Sequence, residues 1–257
     1  GENKAKALVR ADLDMLNYST RFIPLGTNSS PFGGVIDGGG HTIYNLQIKG
    51  KDNVGMVSVA TTGCVIKNLT LGGGCTMEGD NYVAGFVGNL RQGSLTLTNC
   101  GFEGTVTATG INAAAFVAYV RLLPTATLTD CYNAGTITAN NRAAAMIAPS
   151  VGVLNVTNSY NVGQIVGVEA EHEFAYSTKT VKLEDCYALY EQTQVTPICG
   201  DSVTNGWLCF QLNAKYKKPV WYQNLDNGKR RDQHPVLSDS HGVVIYENGI
   251  YTNNHQF

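Results

Sequence analysis

The densest group of ionisable side chains in the repeated part of the chain lies in the stretch EAEHEFAY, residues 169–176. It contains Glu169, Glu171, His172 and Glu173. Carboxylates beside an imidazole can bind a cation, or can transfer protons during cleavage of a sugar linkage. The same residues also suit a solvated insertion near the end of the repeats, and both interpretations stay open.

A second candidate is a row of aromatic side chains. Tyr132, Tyr160 and Tyr187 each stand two residues after an Asp or Asn that recurs along the chain, and Phe102 is assigned to the row in the preceding repeat. Stacked on successive strands about 4.8 Å apart, the rings would form a strip on which sugars pack. Alternatively, the rings cover a corner of the hydrophobic core.

Two further aromatic residues, Trp221 and Tyr222, lie in a C-terminal region that is rich in basic residues. The basic residues are Lys215, Lys217, Lys218, Lys229, Arg230 and Arg231. Aromatic rings beside cations could contact an anionic glycan, although such residues more often form a solvated surface. The candidate ligand contacts are therefore Tyr132, Tyr160, Tyr187, Trp221 and Tyr222.

These residues are positioned by an internal repeat. Four tetrads of the type small–apolar–apolar–small begin 30 residues apart, and they are Gly55-Met56-Val57-Ser58, Gly85-Phe86-Val87-Gly88, Ala115-Phe116-Val117-Ala118 and Ala145-Met146-Ile147-Ala148. A second series places an amide or carboxylate after an alternating strand, at Asn45, Asn68, Asn99, Asp130, Asn158 and Asp185. A shared period near 30 residues indicates stacked repeats that bury one common core.

The apolar spacing within each repeat is two residues, as in Leu95 and Leu97 or Leu154 and Val156. That alternation is typical of strands. We therefore predict an all-β fold, a right-handed parallel β-helix with three strands per coil and about 30 residues per coil. Ala113–Val120 is apolar without alternation, which predicts a wall buried on both faces and covered by the C-terminal region or by a partner.

The predicted β-helix, with its N-terminal cap, spans residues 1–196, and the regular repeats span residues 31–187. Asp12 and Asp14 in the cap could do acid–base chemistry or could be edge charges. Residues 197–257 are predicted to cap the open end. They are expected to contain a short helix within Asn205–Tyr216, with Thr204 as its N-cap, and a hairpin with an Asn248-Gly249 turn.

Composition excludes several classes of protein. The chain has 257 residues, 15% of them charged, with a net charge of −2, so no nucleic-acid partner is expected. No apolar run is long enough for a membrane span. The seven cysteines lack zinc or disulfide spacing, and Cys100, Cys131 and Cys186 are predicted to be buried thiols. No metal site and no cofactor are predicted.

The tetrads, above all Gly85-Phe86-Val87-Gly88, and the opening PFGGVIDGGGHTIYNLQI resemble the GLUG-motif repeats of bacterial surface proteins. The resemblance implies an extracellular or cell-surface location, with the signal peptide outside this chain, and a role in adhesins or in modules associated with proteins labelled IgA peptidases. It favours a non-catalytic adhesin-like scaffold that could contact host or dietary glycans or a host surface protein. The alternatives are a β-helical polysaccharide lyase or glycoside hydrolase, part of a surface peptidase of the IgA-protease-labelled type, and an ice-binding threonine array.

Overall fold

The computed structural model describes residues 4–18, 21–121, 124–167, 170–171, 174–225 and 230–254. The repeats form a parallel β-helix of about 6 turns with roughly 29 residues per turn. The predicted fold class is therefore confirmed. Within the described residues, no helix is long and apolar enough to cross a membrane.

Each turn of the β-helix has four sides rather than the three predicted. The first side, called the long face, consists of Val35–Tyr44, Cys64–Leu71, Ser94–Phe102, Thr125–Asn133, Val153–Thr157, Tyr160–Asn161, Thr180–Glu184 and Tyr187–Ala188, with Lys6–Leu8, Leu13–Asp14 and Thr196–Pro197 at its edges. The second side consists of Gln47–Lys49, Thr76–Gly79, Thr105–Ala108, Thr136–Ala139 and Gln164–Gly167. The third consists of Asp52–Val54, Asn81–Ala84, Ala113–Ala114, Arg142–Ala144 and Ala170–Glu171. The fourth consists of Val57–Ala60, Val87–Leu90, Ile147–Ser150 and Ala175–Ser177, linked through the bridge residues Val117 and Val120.

Equivalent residues of successive turns stack in register. Leu95 pairs with Ala126, and Leu97 pairs with Leu128. All four side chains are buried, whereas Thr96 on the same strand is only partly buried. The predicted alternation of inward and outward residues is therefore confirmed on this face.

The long face bends at a corner formed by amides and carboxylates in the left-handed region, with φ between 49° and 54° at Asn68, Asn99, Asp130, Asn158 and Asp185. Asn and Asp tolerate this conformation better than other side-chain-bearing residues. Amides in this column donate to the corner residue of the turn before, from Asn68 Nδ2 to Asp37 Oδ1 at 3.0 Å and from Asn99 Nδ2 to Asn68 Oδ1 at 3.1 Å. We call this column the corner ladder.

The position of Asn45 in the predicted ladder is wrong. The partner of Asn68 in the ladder is Asp37, because the strand register shifts between Asp37 and His41, where Gly38, Gly39 and Gly40 lie opposite Asn68 alone. Asn45 instead stacks at the next corner, where its backbone N–H donates to the carbonyl of Gly73. The glycine run therefore displaces the first repeat relative to the others.

The predicted inward cysteine row is confirmed. Cys100, Cys131 and Cys186 are free and buried. Burial raises the pKa of the Cys186 thiol to about 12 and also raises that of Cys131. The protonated thiols act as small apolar side chains that fill the core behind the corner ladder.

The tetrads and the alanines just before them form a narrow inward bend between the third and fourth sides. Ala114, Ala144 and Ala148 make a small buried cluster of their own, and Asn112 Nδ2 donates to the carbonyl of Ala118 across the bend at 3.1 Å. The two sides therefore cover each other. The predicted external cover over the stretch beginning at Ala113 is wrong, because this stretch is bent rather than a single flat strand.

The C-terminal segment, residues 197–257, contains the helices Gly200–Thr204 and Trp207–Asn213 and the antiparallel hairpin Val243–Glu247 and Ile250–Asn254. The Asn248-Gly249 turn is confirmed by positive φ at both residues. The predicted N-cap at Thr204 is wrong, because Thr204 ends the first helix and Gly206 (φ 96°) is the N-cap of the second.

The C-terminal segment lies along the side of the β-helix rather than over its end. Its anchor is Asp130, a corner-ladder carboxylate that is only 4% exposed. Tyr216 donates its hydroxyl to Asp130 at 2.9 Å, Trp221 donates Nε1 at 3.4 Å, and Asn158 donates Nδ2 at 2.5 Å. These donors stabilise a buried negative charge that has no cation partner among the described residues. One corner residue before the anchor, the buried Oδ1 of Asn99 has no hydrogen-bond partner within the described part of the chain.

Substitution of Gly88 by Ala tests the inward bend. A Cβ at Gly88 would lie 2.4 Å from the carbonyl carbon of Asn53, so we expect a loss of about 1–3 kcal/mol in the free energy of unfolding. Urea unfolding followed by circular dichroism measures it. The control is Gly73→Ala, where nothing lies within 4 Å of the added Cβ; equal losses in both variants would contradict the packing argument.

Substitution of Asp130 by Asn tests the anchor. The side-chain shape is kept and the amide oxygen can take the place of Oδ1, but the hydrogen bonds from Asn158, Tyr216 and Trp221 lose their charged acceptor, so we expect a loss of about 1.5–3 kcal/mol. Hydrogen exchange in Trp207–Asn213 and urea unfolding measure the loss. Asp185→Asn is the matched control, because Asp185 lies in the same ladder but forms an exposed ion pair with Lys215. This substitution should lower the free energy of unfolding by only about 0–1 kcal/mol. The anchor hypothesis fails if exchange in this helix is equally fast in both variants.

Candidate functional site

The predicted ionisable cluster is not placed by the structure. Glu169, His172 and Glu173 lie outside the described residues, and Glu171 is described only as backbone in the short strand Ala170–Glu171. The hypothesis that this stretch does chemistry therefore stays a prediction.

The predicted aromatic row exists, but it is buried rather than presented to a ligand. The rings of Tyr132 and Tyr160 stack with their centroids 5.4 Å apart and are 1% and 0% exposed. Tyr187 is half-buried against Trp207. The assignment of Phe102 to this row is wrong, because Gly101 pairs with Tyr132 and Phe102 points into the core.

The rings are covered because the C-terminal segment packs on them. Trp221 is fully buried, with its ring 5.4 Å from that of Tyr160. Tyr160 donates its hydroxyl to the carbonyl of Pro235, and Tyr132 donates to Glu103 Oε1 at 2.6 Å. Burial raises the pKa of both tyrosines. Tyr132, Tyr160 and Trp221 therefore attach the segment, and the expectation that they contact a sugar is corrected.

Where the C-terminal segment extends beyond this contact, it encloses a cleft of about 930 Å³ against the first turns of the β-helix. We call it the seam cleft. Its β-helix wall includes Asp12, Asp37, His41, Tyr44, Asn68, Thr70, Asn99, Glu103 and Tyr132. Its opposite wall includes Pro219, Val220, Tyr222, Val236, Leu237, Ser238, Asp239, Ser240 and His241. The corner ladder thus binds the C-terminal segment through Asp130, and it forms part of the cleft surface through Asn68 and Asn99.

Asp37 is a fixed carboxylate on the β-helix wall. Its Oδ2 lies 2.8 Å from Lys67 Nζ, and its Oδ1 accepts from Asn68 Nδ2 and from the backbone N–H of Gly39, each at 3.0 Å. The hydrogen bond from Lys67, then those from Asn68 and Gly39, lower the pKa of Asp37 to about 2. The group is therefore ionised throughout the physiological range.

Two histidines, one on each wall, are held by carboxylates. His41 Nδ1 lies 3.2 Å from Asp12 Oδ1, and His241 Nδ1 lies 2.7 Å from Asp232 Oδ2. The hydrogen bond with Asp232 is the main reason that the pKa of His241 is raised, and the charge of Glu103 contributes. Contact with a carboxylate through Nδ1 leaves Nε2 as the nitrogen that can face a ligand.

Glu103 marks the junction of two cavities. It lines the seam cleft and also a smaller groove of about 370 Å³, whose other lining residues include Val162, Val203 and His234. Among the described residues that line the seam cleft there is no lysine or arginine. The cleft is therefore rich in hydrogen-bond acceptors and carries negative charge.

Of the sequence-predicted contacts, Tyr222 lines the seam cleft and is half-buried. The described members of the basic group do not line it: Lys215 pairs with Asp185, and Arg231 donates to the carbonyl of Thr204. Lys229 lies outside the described residues.

Sequence reasoning missed Glu103, Asp232, Asp239 and His241, because no repeat or motif marks them. Asp12, singled out as an acid–base candidate, does lie in the cleft. The cleft therefore combines one predicted carboxylate with groups that only the packing of the C-terminal segment brings near it.

The described residues contain no group of three or more His, Cys, Asp or Glu that could hold a metal ion. What the cleft offers instead is aromatic surface, fixed amides and carboxylates, and two oriented imidazoles. This arrangement can bind a ligand rich in hydrogen-bond donors and can move a proton at His241.

No protein-family model matches the sequence, and no curated protein matches it. The structure is similar to a crystal structure described as that of a putative immunoglobulin A1 protease from Bacteroides ovatus, with a TM-score of 0.61 and 13% identity, over 91% of this chain and 86% of that chain. At this identity the likeness shows the fold alone, so this chain is similar to that protein in its β-solenoid architecture.

Proposed function

We propose that the protein is a non-catalytic bacterial cell-surface module of the adhesin-like type, and that it binds carbohydrate in the seam cleft. The observation that carries the proposal is the cleft itself, in which exposed tyrosine surface adjoins fixed amide and carboxylate oxygens. Tyr44 is 39% exposed on one wall and Tyr222 lies on the other. Sugars combine apolar ring faces with many hydroxyl donors, and this lining complements both.

The rigid corner ladder suits a protein that binds a ligand without catalysing a reaction. The ladder amides at Asn68 and Asn99 are held by their neighbours in the stack, so little side-chain entropy is lost when a ligand meets them. The GLUG resemblance supports an extracellular location and host or dietary glycans as the source of the ligand.

Replacing Tyr222 by Ala tests the proposal. Loss of the ring removes apolar contact on the C-terminal wall, so we expect glycans identified on an array to bind about 10-fold more weakly, or about 1.4 kcal/mol. Isothermal titration calorimetry measures the change. Tyr246→Ala is the matched control, because Tyr246 is an exposed hairpin tyrosine outside the cleft and its loss should leave binding unchanged. A glycan that binds both variants with the affinity of the parent chain does not occupy the seam cleft.

A second candidate function is hydrolysis, in line with the expected alternatives of a peptidase or a glycan-cleaving enzyme. It is favoured by one observation, the Asp232–His241 pair at 2.7 Å in the cleft wall, with Ser238 and Ser240 on the same loop. A carboxylate that fixes the imidazole is the arrangement used to activate a hydroxyl or a water molecule. The solved structure of similar fold is described as a protease, which supports including peptide substrates in the test.

His241→Gln decides between the two candidates. If the cleft is hydrolytic, turnover of peptide or glycan ester substrates falls by about 100-fold or more in this variant. General-base activity needs the neutral imidazole, so the rate of the parent protein should fall as pH drops through the raised pKa of His241. His41→Gln, on the opposite wall, is the control. An undetectable rate in the parent chain removes the hydrolytic candidate and leaves the binding proposal intact.

A further inference from the structure

We propose that the seam cleft selects an amine-bearing carbohydrate, such as an oligosaccharide of unacetylated hexosamine, and rejects acidic polysaccharides. The inference rests on the proposed glycan-binding function and adds the chemical class of the ligand. It is the reverse of what the basic residues near Trp221 suggest from the sequence.

The lining of the seam cleft carries more negative than positive charge. Four lining residues are carboxylates, namely Asp12, Asp37, Glu103 and Asp239. Two of them have basic partners, since Asp37 pairs with Lys67 and Asp12 contacts His41. The described lining contains no lysine or arginine, and the histidine on the C-terminal wall, His241, is already paired with Asp232. The remaining two carboxylates therefore have no ion-pair partner of their own within the lining.

Those two carboxylates lie on opposite walls of the cleft. Glu103 belongs to the β-helix, and its hydrogen bond comes from the neutral hydroxyl of Tyr132 at 2.6 Å. Asp239 belongs to the C-terminal segment and is exposed. A ligand that enters the cleft therefore meets one free negative charge on each wall. A protonated amine gains attraction from both, whereas a uronate or a sulfate is repelled by both.

The cleft also offers aromatic surface. Tyr44 and Tyr222 present aromatic rings to the same cleft, and aromatic faces attract cations as well as the apolar faces of sugar rings. The charge of Asp239 acts on Tyr222, where it adds to the effect of burial in raising the pKa of the phenol. Both residues line the C-terminal wall of the cleft, so an ammonium-bearing sugar meets an aromatic ring and a carboxylate on the same wall.

A basic peptide would satisfy the charges but not the rest of the lining. The floor is formed by Asn68, Asn99 and Thr70, and the two ladder amides are held in place by hydrogen bonds along the stack. Hydroxyl groups repeated along a saccharide can pair with Thr70 and with the carboxylates around it, whereas each lysine side chain carries its polar group only at the end of an apolar chain. The amine-bearing sugar is therefore the better match.

The experiment compares four ligands of equal length by calorimetry, at moderate salt and at a pH where the sugar amine is protonated. They are the hexamers of glucosamine, N-acetylglucosamine, galacturonic acid and lysine. We expect the glucosamine hexamer to bind at least 10-fold more tightly than the N-acetylated hexamer, and the galacturonate hexamer to show no measurable binding.

The double variant Glu103→Gln/Asp239→Asn isolates the charges. The amide oxygen that replaces the carboxylate of Glu103 can still accept the hydroxyl of Tyr132, so the fold should be retained. We expect the two glucosamine-based hexamers to bind this variant with similar affinity. Glu78→Gln/Asp201→Asn, which removes two carboxylates outside the cleft lining, is the matched control and should keep the 10-fold preference.

Three results would overturn the inference: galacturonate binding as tightly as glucosamine, a preference that survives in the double variant, or lysine hexamer binding as tightly as the sugar. These outcomes are distinct from failure of the proposed function. If none of the sugars binds and glycan arrays show no ligand, the glycan-binding proposal itself falls together with the inference.

Discussion

Every feature of this protein depends on the in-register stacking of parallel turns. A residue must fit both the one above and the one below, so each column in the stack accepts a narrow set of side chains. At the corner of the long face, the left-handed backbone restricts the column to Asn and Asp. In the aromatic column, Gly101 gives the space that the ring of Tyr132 occupies, since a Cβ there would lie 2.3 Å from it.

The same ladder explains why the C-terminal segment sits where it does. An amide side chain in the column can accept a hydrogen bond from one neighbouring turn and donate one to the other. A buried carboxylate can only accept, so it needs additional donors from outside the column. Asp130 obtains them from Tyr216 and Trp221, which draws the segment onto the later turns. The earlier turns, with Asn68 and Asn99 at the corner, are left to form a wall of the cleft.

Much of the fold could be predicted from the spacing of residues in the sequence. That spacing shows the tetrads, the alternation at Leu95 and Leu97, and the inward thiols. The inward bend beside Ala114 could not be predicted, because apolar residues without alternation suit a flat buried strand equally well. The seam cleft also could not be predicted from the sequence. It joins Glu103 to His241 through packing between distant parts of the chain, and periodicity carries no information about that contact. Burial of Tyr132 and Tyr160 has the same origin, since the repeat places the rings but does not reveal what covers them.

The cleft exists only while the C-terminal segment is docked, and this couples binding to structure. A ligand that touches both Glu103 and Asp239 binds only when the C-terminal segment is docked on the β-helix. By thermodynamic linkage, the bound ligand stabilises the docked segment, and the free energy of this effect equals the gain in binding free energy that docking provides. The anchor at Asp130 lies outside the cleft lining, so docking and recognition depend on different residues, except for Tyr132, which packs on Trp221 and also lines the cleft. Recognition residues can therefore change without loss of the segment, whereas a change at the anchor weakens both at once.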